Sequence, residues 1–364
     1  MLSPIAKINL KNIKSNCIYI KRKVNNSRIM AVVKADAYGH GIVEISKFLS
    51  HHKLAYGFCV ALSSEIDELI KNKVLSPILH LGRIDLDSLS IYCKKNVYAT
   101  INSLHDIEIL SNFGKKNNVR IKAHIKVDTG MNRMGVRLNE LDDLIDCINS
   151  KFLDIKGVYS HFSSADENDN SVETQVVGFN LAINKIKSKL GQIDDIHIAN
   201  TSAILNRKDC NYNMVRVGLA IYGISSLRNY LVELKPAMEL QAPLVLIKKI
   251  KKGESVGYNR KYISEGSIRI GLVQIGYADG LPPSFCNKGK VYFNGKSCKV
   301  IGKVSMDLIS IDISNVNINV GDMITIWGGE ILESKLEELS KKFNNIPYHY
   351  LTSLSKRVLK EYEQ

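Results

Sequence analysis

The chain has 364 residues, of which 45% are hydrophobic and 24% are charged, and its formal net charge is +14. This composition excludes intrinsic disorder and a fibrous repeat, and the length favours two domains or one large barrel with an appendage. No apolar run approaches the roughly 18 residues of a membrane span, and residues 1–10 lack the apolar core of a secretory signal.

The seven cysteines are scattered, odd in number and without a Cys-x-x-Cys pair. This spacing argues against a disulfide framework and a zinc cluster, so we expect no metal site and a reducing, cytoplasmic compartment. The positive charge is spread over many lysines, which is typical of a solvated surface, and we expect no nucleic-acid or membrane partner. A basic nucleic-acid-binding protein is the alternative, and it predicts binding that weakens steeply with salt.

The first part of the chain alternates short β-branched runs with helix-period segments. Eight runs are predicted as strands: Ile29–Val33, Tyr56–Ala61, Pro77–Leu81, Val97–Ile101, Ile121–Val127, Ile155–Ser160, Asp195–Ala199 and Met214–Val217. Helices are predicted between them at Ser63–Asn72, Asp85–Lys95, Leu104–Phe113, Leu138–Asn149 and Val172–Leu190. Because strands that alternate with helices form a parallel sheet, residues 10–235 are predicted to form a closed (β/α)8 barrel.

An open doubly wound sheet is the alternative architecture for this region. That fold carries a Gly-x-Gly-x-x-Gly turn after its first strand. No such turn follows Val33, so the barrel is favoured.

The pattern changes after Gly223, where residues 225–238 are predicted as a connector. Six strand-like runs follow without helices between them: Pro243–Ile250, Ser267–Ile275, Lys290–Phe293, Cys298–Ile301, Leu308–Ile313 and Asp322–Trp327. Asn294-Gly295 indicates a type I′ hairpin between two of these runs.

Residues 236–364 are therefore predicted as a second, mainly β domain, with one helix at Ser334–Phe343. The opening residues 1–9, with a short strand near Lys7–Leu10, are expected to join this domain.

Polar side chains follow several of the predicted barrel strands, at the rim where barrel enzymes place their active sites. They are Lys34 after the first strand, Lys126 and Arg133 after the fifth, His161 after the sixth, Thr201 and Ser202 after the seventh, and Arg216 with Gly218 at the eighth. Each alone has an ordinary explanation as a strand-end charge, but their convergence on one rim predicts a site.

Lys34 directly follows an apolar strand. Burial at the barrel mouth would lower the pKa of its amine, and a neutral amine is what Schiff-base chemistry requires. The alternative is a lysine whose charged end extends to solvent at the rim.

Eight motifs follow one another along the chain: Ala31-Val-Val-Lys-Ala-Asp-Ala-Tyr-Gly-His-Gly41, Lys126-Val-Asp-Thr-Gly-Met-Asn-Arg-Met-Gly135, Tyr159-Ser-His-Phe162, His197-Ile-Ala-Asn-Thr201, Val215-Arg-Val-Gly-Leu219, Gly276-Tyr-Ala-Asp-Gly280, Gly302-Lys-Val-Ser-Met-Asp307 and Ile346-Pro-Tyr348. In this order they resemble the motifs of the alanine racemases, which carry pyridoxal phosphate (PLP). The family fold, a PLP-binding barrel followed by a β domain, agrees with the architecture predicted above.

The resemblance implies that Lys34 forms the Schiff base with PLP and then serves as one of two opposed bases. Tyr277 would be the other base, since a racemase must remove a proton from one face of the α-carbon and deliver one to the opposite face. His161 and Arg216 would assist by hydrogen bonds, and Arg216 would donate to the pyridine nitrogen of PLP. For His161, a core histidine with satisfied hydrogen bonds is the competing interpretation.

The resemblance also implies roles in binding. Phosphate contacts fall on Tyr38, Thr201 or Ser202, the backbone N–H groups of Gly218 and Leu219, and Tyr348. Substrate contacts fall on Arg133 and on the backbone N–H of Met306, with Tyr258 as a wall of a small pocket. Lys126 matches a lysine that is often carbamylated and hydrogen-bonded to that arginine.

In the family, the tyrosine base and the Met-Asp loop come from a second subunit, so the resemblance implies a head-to-tail homodimer with shared active sites. The chain departs from the usual motifs at Asp36, Val217, Lys303, His349 and Leu281-Pro-Pro283. These departures bear on substrate breadth and rate, and they leave both proposed bases in place.

The expected activity is interconversion of L- and D-alanine, which would supply D-alanine for peptidoglycan. Racemisation of another or broader set of amino acids, such as serine, is the nearest alternative. A PLP-dependent decarboxylase is disfavoured because the Gly276–Gly280 motif offers a tyrosine and no cysteine acid. A non-catalytic PLP carrier is disfavoured because it resembles the barrel alone.

Overall fold

The computed structural model describes residues 3–148, 151–167, 169–207, 209–225, 227 and 233–364. Parallel strands build the first half, in positions close to all eight predicted ones. In chain order the strands from the N-terminus to this point are β1 Ile5–Asn9, β2 Arg28–Val32, β3 Gly57–Val60, β4 Ile78–His80, β5 Val97–Ile101, β6 Ile121–Asp128, β7 Val136–Arg137, β8 Leu153–Tyr159, β9 Asp195–His197 and β10 Met214–Val217.

The sheet of the first half runs in the order β10-β2-β3-β4-β5-β6-β8-β9, with the short β7 paired to β6. Its two outer strands, β9 and β10, face each other. There the backbone N–H of Arg216 donates to the carbonyl of Ala199 across 3.0 Å. The predicted (β/α)8 barrel is thus confirmed as a nearly closed one.

Helices cover the outside of the barrel. They are α1 Leu10–Val24, α2 Ile42–His51, α3 Ser63–Lys71, α4 Leu104–Asn117, α5 Leu141–Asp146, α6 Ser171–Leu190 and α7 Thr201–Asn206. At the helix predicted for Asp85–Lys95 the structure has 3-10 turns over Leu86–Cys93, and these are kinked at Ser88, whose dihedral angles are not helical (φ −117°, ψ 17°).

Helix α1 was absent from the sequence prediction, which placed a strand as far as Leu10. The structure ends the strand at Asn9, whose side chain accepts the N–H of Asn12 across 2.9 Å and so caps the helix. Leu10, Ile13, Cys17 and other residues on the same face are buried, so this helix had a recognisable helical period.

The second half is an antiparallel β structure. Its strands are β11 Met238–Ile250, β12 Ser255–Val256, β13 Tyr262–Ile263, β14 Ile268–Val273, β15 Lys290–Phe293, β16 Lys296–Ile301, β17 Ile309–Asp312, β18 Met323–Gly328 and β19 Leu359–Glu363, and its helices are α8 Leu336–Phe343 and α9 Pro347–Thr352. The predicted hairpin pairs β15 with β16, and φ is positive at both Asn294 and Gly295.

The opening strand belongs to this second sheet. Strand β1 pairs with β11 in antiparallel fashion and with β19 in parallel fashion. The two ends of the chain therefore lie side by side. Of the predicted connector, residues 226 and 228–232 lie outside the described residues. Across the described part of the chain, no helix is long and apolar enough to span a membrane.

Candidate active site

A cavity of about 480 Å³ opens at the carboxyl ends of the barrel strands. Ten residues singled out from the sequence line it: Lys34, Tyr38, Lys126, Arg133, His161, Thr201, Ser202, Arg216, Gly218 and Tyr348. Its volume lies in the range of small-molecule and cofactor sites. The rim residues of strands β2, β6, β8, β9 and β10 thus meet in one place.

Lys34 begins a left-handed turn that follows strand β2. Ala35, Asp36, Ala37 and Tyr38 all have φ between 52° and 55°, a conformation that costs L-residues about 1–2 kcal/mol each. The turn is anchored from outside itself, because Glu65 accepts the N–H of Ala35 across 2.6 Å. Within the turn's own segment, Asp36 accepts the N–H of Ile42 across 2.8 Å.

The end of this turn leaves no space for a side chain. Gly39 has φ 77°, and a Cβ placed there would lie 2.2 Å from the carbonyl oxygen of Leu351. Helix α9 of the β domain thus packs directly against the turn that carries Lys34.

Burial lowers the pKa of the Lys34 amine, and the nearby positive charge of Arg133 lowers it further. The sequence argument expected this desolvation. A lowered pKa leaves more of the amine neutral near pH 7, which is the form that condenses with an aldehyde.

Arg216 forms the floor of the cavity and is itself buried. Its Nη2 donates to the carbonyl of Ser160 across 2.6 Å and approaches Nδ1 of His161 at 3.1 Å. Its Nη1 lies 2.6 Å from Nδ1 of His197. Burial, and then the charge of Arg216, hold the pKa of both histidines well below the ordinary value.

The hydrogen order below Arg216 follows from its chemistry. A guanidinium only donates, so Nδ1 of His197 accepts and its Nε2 carries the hydrogen. That Nε2 donates to Nδ1 of His124 across 2.9 Å. The remaining nitrogen of His124 then faces the carboxylate of Asp195 at 3.2 Å, and Arg28 holds that carboxylate at 2.5 Å.

Hydroxyl groups gather at the opposite side of the cavity. The Thr201 hydroxyl accepts the backbone N–H of Gly218 across 3.2 Å. The rings of Tyr38 and Tyr348 lie 5.5 Å apart, and burial raises the pKa of Tyr38, which keeps its phenol a neutral donor. Leu219 is buried next to this group and does not line the cavity.

Lys126 lies over the Tyr159 ring, 5.6 Å from its centroid. Burial lowers the pKa of Lys126 to about 8, with further lowering by Arg216 and Arg133. Three cationic groups therefore share one wall of the cavity, which favours an anionic group between them.

Three predicted residues do not reach the cavity within one chain. Tyr277, Met306 and Tyr258 are 48%, 52% and 66% exposed on the β domain. The segments that carry Tyr277 and Met306 are joined by backbone hydrogen bonds. The N–H of Tyr277 donates to the carbonyl of Ser305, and the N–H of Ala278 donates to the carbonyl of Met306. A single chain therefore presents these residues outward, away from its own Lys34 site.

Two contributors to the site were not assigned from the sequence. Glu65 supports the Lys34 turn from helix α3, and its only sequence signal is an acidic residue in the first turn of a helix. Tyr159 stacks on His197 with centroids 4.9 Å apart and lies beneath Arg216. It belongs to a quoted motif, so the motif was the available signal.

Family models match nearly the whole described architecture. The model of the alanine racemase N-terminal domain matches residues 8–226, and that of the alanine racemase C-terminal domain matches residues 237–362. The chain belongs to the alanine racemase family. Alanine racemases are isomerases, and membership supports the interconversion of alanine enantiomers by this enzyme.

Individual relatives agree over full length. The chain is 35% identical to the alanine racemase of Mannheimia succiniciproducens, over 98% of each chain. The alanine racemase of D-cycloserine-producing Streptomyces lavendulae superposes with a TM-score of 0.95 at 25% identity, covering 100% of this chain and 98% of that one. The Bartonella henselae alanine racemase, solved with covalently bound pyridoxal phosphate, superposes with a TM-score of 0.90 at 29% identity, and both chains are fully covered.

Proposed function

We propose that the protein interconverts L- and D-alanine with PLP attached to Lys34, and that Lys34 and Tyr277 act as opposed bases. The observation that carries the proposal is the meeting of Lys34, Arg216 and the Thr201 hydroxyl in one cavity of about 480 Å³. Family membership supports the same activity.

The residues present fit PLP. Its aldehyde would meet the low-pKa amine of Lys34, and its ring nitrogen would meet Arg216 on the cavity floor. Its phosphate would be held by Tyr38, Thr201 or Ser202, Tyr348 and the backbone N–H groups of Gly218 and Leu219, beside the N-terminus of α7. A Cβ on Gly218 would lie 2.8 Å from the Tyr38 hydroxyl, so glycine keeps the backbone accessible there.

When bound, PLP supplies a conjugated ring that stabilises negative charge at the substrate α-carbon. Arg216 can only donate, so it keeps the ring nitrogen unprotonated and limits that stabilisation. Arg133 would bind the substrate carboxylate at the mouth of the cavity. His161 is neutral because burial and Arg216 lower its pKa, and it would help to orient the two proposed bases by hydrogen bonds.

Proton transfer then needs one base on each face of the α-carbon. Lys34 approaches from the barrel and holds the proton on its Nζ. Tyr277 would approach from the opposite side and hold the proton on its hydroxyl oxygen. Both groups return a proton to the same carbon, so either enantiomer serves as substrate.

Tyr277 is supplied by a second copy of the chain in this proposal. Its exposure, together with that of Met306 and Tyr258, supports a head-to-tail homodimer in which each β domain covers the partner's cavity. The Met306 backbone N–H would then meet the substrate carboxylate, and Tyr258 would narrow the pocket to the size of alanine.

Lys126 is proposed to carry a carbamate. Its amine, with a pKa of about 8, is partly neutral near pH 7 and can add CO₂ with loss of one proton. The resulting anion would lie among the cations Arg133 and Arg216. Intact-mass analysis at constant CO₂ tests the modification.

D-alanine made in the cytoplasm would serve peptidoglycan assembly in this proposal. All seven cysteines are free thiols in the structure, which supports a reducing compartment.

A chiral assay of the purified chain with PLP tests the activity. We expect interconversion of L- and D-alanine with little turnover of serine or larger amino acids. Equal turnover of serine would favour the broader racemase, and a product that has lost CO₂ would favour a decarboxylase. Absence of any turnover with PLP bound would contradict the proposal.

A further inference from the structure

The last segment of the chain contacts both of the loops that carry a proposed base. We call residues 355–362 the C-terminal strap. It comprises the turn after helix α9 and most of strand β19, which pairs in parallel with β1. None of its residues lines the cavity.

The end of the strap holds the Lys34 turn. Lys360 Nζ lies 2.6 Å from the carboxylate of Asp36, which is the second residue after Lys34. The Tyr362 hydroxyl donates to the carbonyl of His40 across 3.0 Å. A Cβ on Gly41 would lie 1.9 Å from that hydroxyl, so the strap packs against the turn without a gap.

The start of the strap holds the Tyr277 turn. Arg357 Nε lies 3.1 Å from the buried carboxylate of Asp279, and its Nη2 lies 2.8 Å from Asp307. Asp279 in turn accepts the N–H of Gly276 across 2.8 Å. One guanidinium thus bridges the turn that carries Tyr277 and the loop that carries Met306.

The contacts from the strap reach two turns whose own residues do little to stabilise the conformation that they adopt. Four consecutive non-glycine residues at positive φ are unfavourable on their own, so the Lys34 turn depends on contacts from elsewhere. Asp279 is buried, and without Arg357 its carboxylate would lose its cation. Both base-bearing loops are therefore sensitive to the strap.

We propose that the C-terminal strap positions both loops, with Lys360 and Tyr362 acting on the Lys34 turn and Arg357 acting on the Tyr277 turn. The inference rests on the proposed function. In the head-to-tail dimer these two turns serve different active sites, so one strap aligns a chain's own site and its partner's site together.

The first test uses the full chain with Lys360→Ala and Tyr362→Phe combined. We expect the Kd for PLP to rise about tenfold, and amide exchange of residues 35–42 in the PLP-free protein to accelerate. Lys360→Arg should restore the affinity, because it restores the pair with Asp36. Lys356→Ala, which removes another exposed positive charge within the strap, is the matched control and should behave as wild type.

The second test uses Arg357→Ala. We expect an unchanged Kd for PLP and a kcat lower by about 10- to 100-fold, as for a displaced catalytic group. Amide exchange of residues 276–280 should accelerate, while that of residues 35–42 should not. Should Arg357→Ala not fold, Arg357→Lys keeps the charge without bridging two carboxylates, and it should show the same separation of kcat from Kd.

Two results would overturn the strap proposal. One is an unchanged Kd for PLP in the Lys360 and Tyr362 double variant, and the other is an unchanged kcat in both Arg357 variants. Wild-type protein that neither binds PLP nor racemises alanine would instead overturn the proposed function. The two failures are thus distinguishable from the wild-type control alone.

Discussion

The residues predicted for the site lie in two regions that differ in exposure, namely the barrel rim and the loops of the β domain. At the rim, ten predicted residues line one cavity and several have lowered pKa values. On the β domain, Tyr277 and Met306 are about half exposed and touch nothing of that cavity. The difference teaches that one chain brings the rim residues together in a cavity, whereas it leaves the β-domain residues on an exposed surface.

Lys34→Ala gives the largest expected effect, because it removes the covalent attachment and one base together. We expect loss of the bound-PLP absorbance and a fall of about 10²- to 10⁴-fold in racemisation. Borohydride treatment followed by mass analysis should locate the reduced linkage at position 34 in the wild type alone. A reduced linkage at another lysine would contradict the assignment of Lys34 as the attachment site.

Tyr277→Phe removes the proposed base on the β domain. We expect retention of bound PLP, because Tyr277 is not among the residues proposed to hold it, and a loss of about 10²- to 10⁴-fold in interconversion. Absorbance and a chiral assay separate the two quantities. Two-way activity near the wild-type level would remove Tyr277 from its proposed role.

Mixing the two variants sharpens the comparison. In a head-to-tail dimer of one Lys34→Ala chain and one Tyr277→Phe chain, one site has both bases. Random exchange should therefore restore about a quarter of wild-type activity from two nearly inactive proteins. A mixture that stays inactive after subunit exchange is verified by mass would contradict shared sites.

The pH dependence of stability gives the smallest expected effect and concerns the rim alone. In CO₂-depleted buffer, Lys126 titrates near pH 8 in the folded protein and near 10.5 when unfolded. The unfolded chain binds more protons between these values, so stability should rise with pH across this window, by up to about 3 kcal/mol. In denaturant melts, the unfolding free energy of the wild type minus that of Lys126→Met should rise with pH across this window.

The barrel was predictable because each strand is a short apolar run set between helix-period segments. The fit is close at Val97–Ile101 and Met214–Val217, where predicted and observed bounds coincide. Helix α1 was missed although Leu10, Ile13 and Cys17 show a helical period, because the preceding strand was extended past its cap at Asn9. The point at which strand β1 ends and helix α1 begins therefore depends on one hydrogen bond, from the N–H of Asn12 to the side chain of Asn9.

Tyr348 was assigned from the family resemblance, whereas the other rim residues were predictable from position, since they lie at or just after the end of a strand. The left-handed turn after Lys34 was not predictable, because Ala35, Ala37 and Tyr38 have no local preference for positive φ. Contacts with Glu65 and Lys360, which are distant in sequence, select that conformation. In the proposed dimer Tyr277 would act in the site of a second chain, and no pattern within one chain encodes the contact between two chains.

The hydrogen-bonded series from Arg216 through His197 to His124 has a consequence for acid tolerance. Nδ1 of His197 accepts from Arg216 and its Nε2 donates to His124, so an added proton finds no vacant lone pair on the His197 ring. Burial and the charge of Arg216 hold the pKa of His197 well below its ordinary value, so the unfolded chain accepts a proton on His197 below about pH 6.5 whereas the folded barrel resists it. Acidification below this pH therefore lowers the free energy of unfolding of the barrel through a residue at its centre.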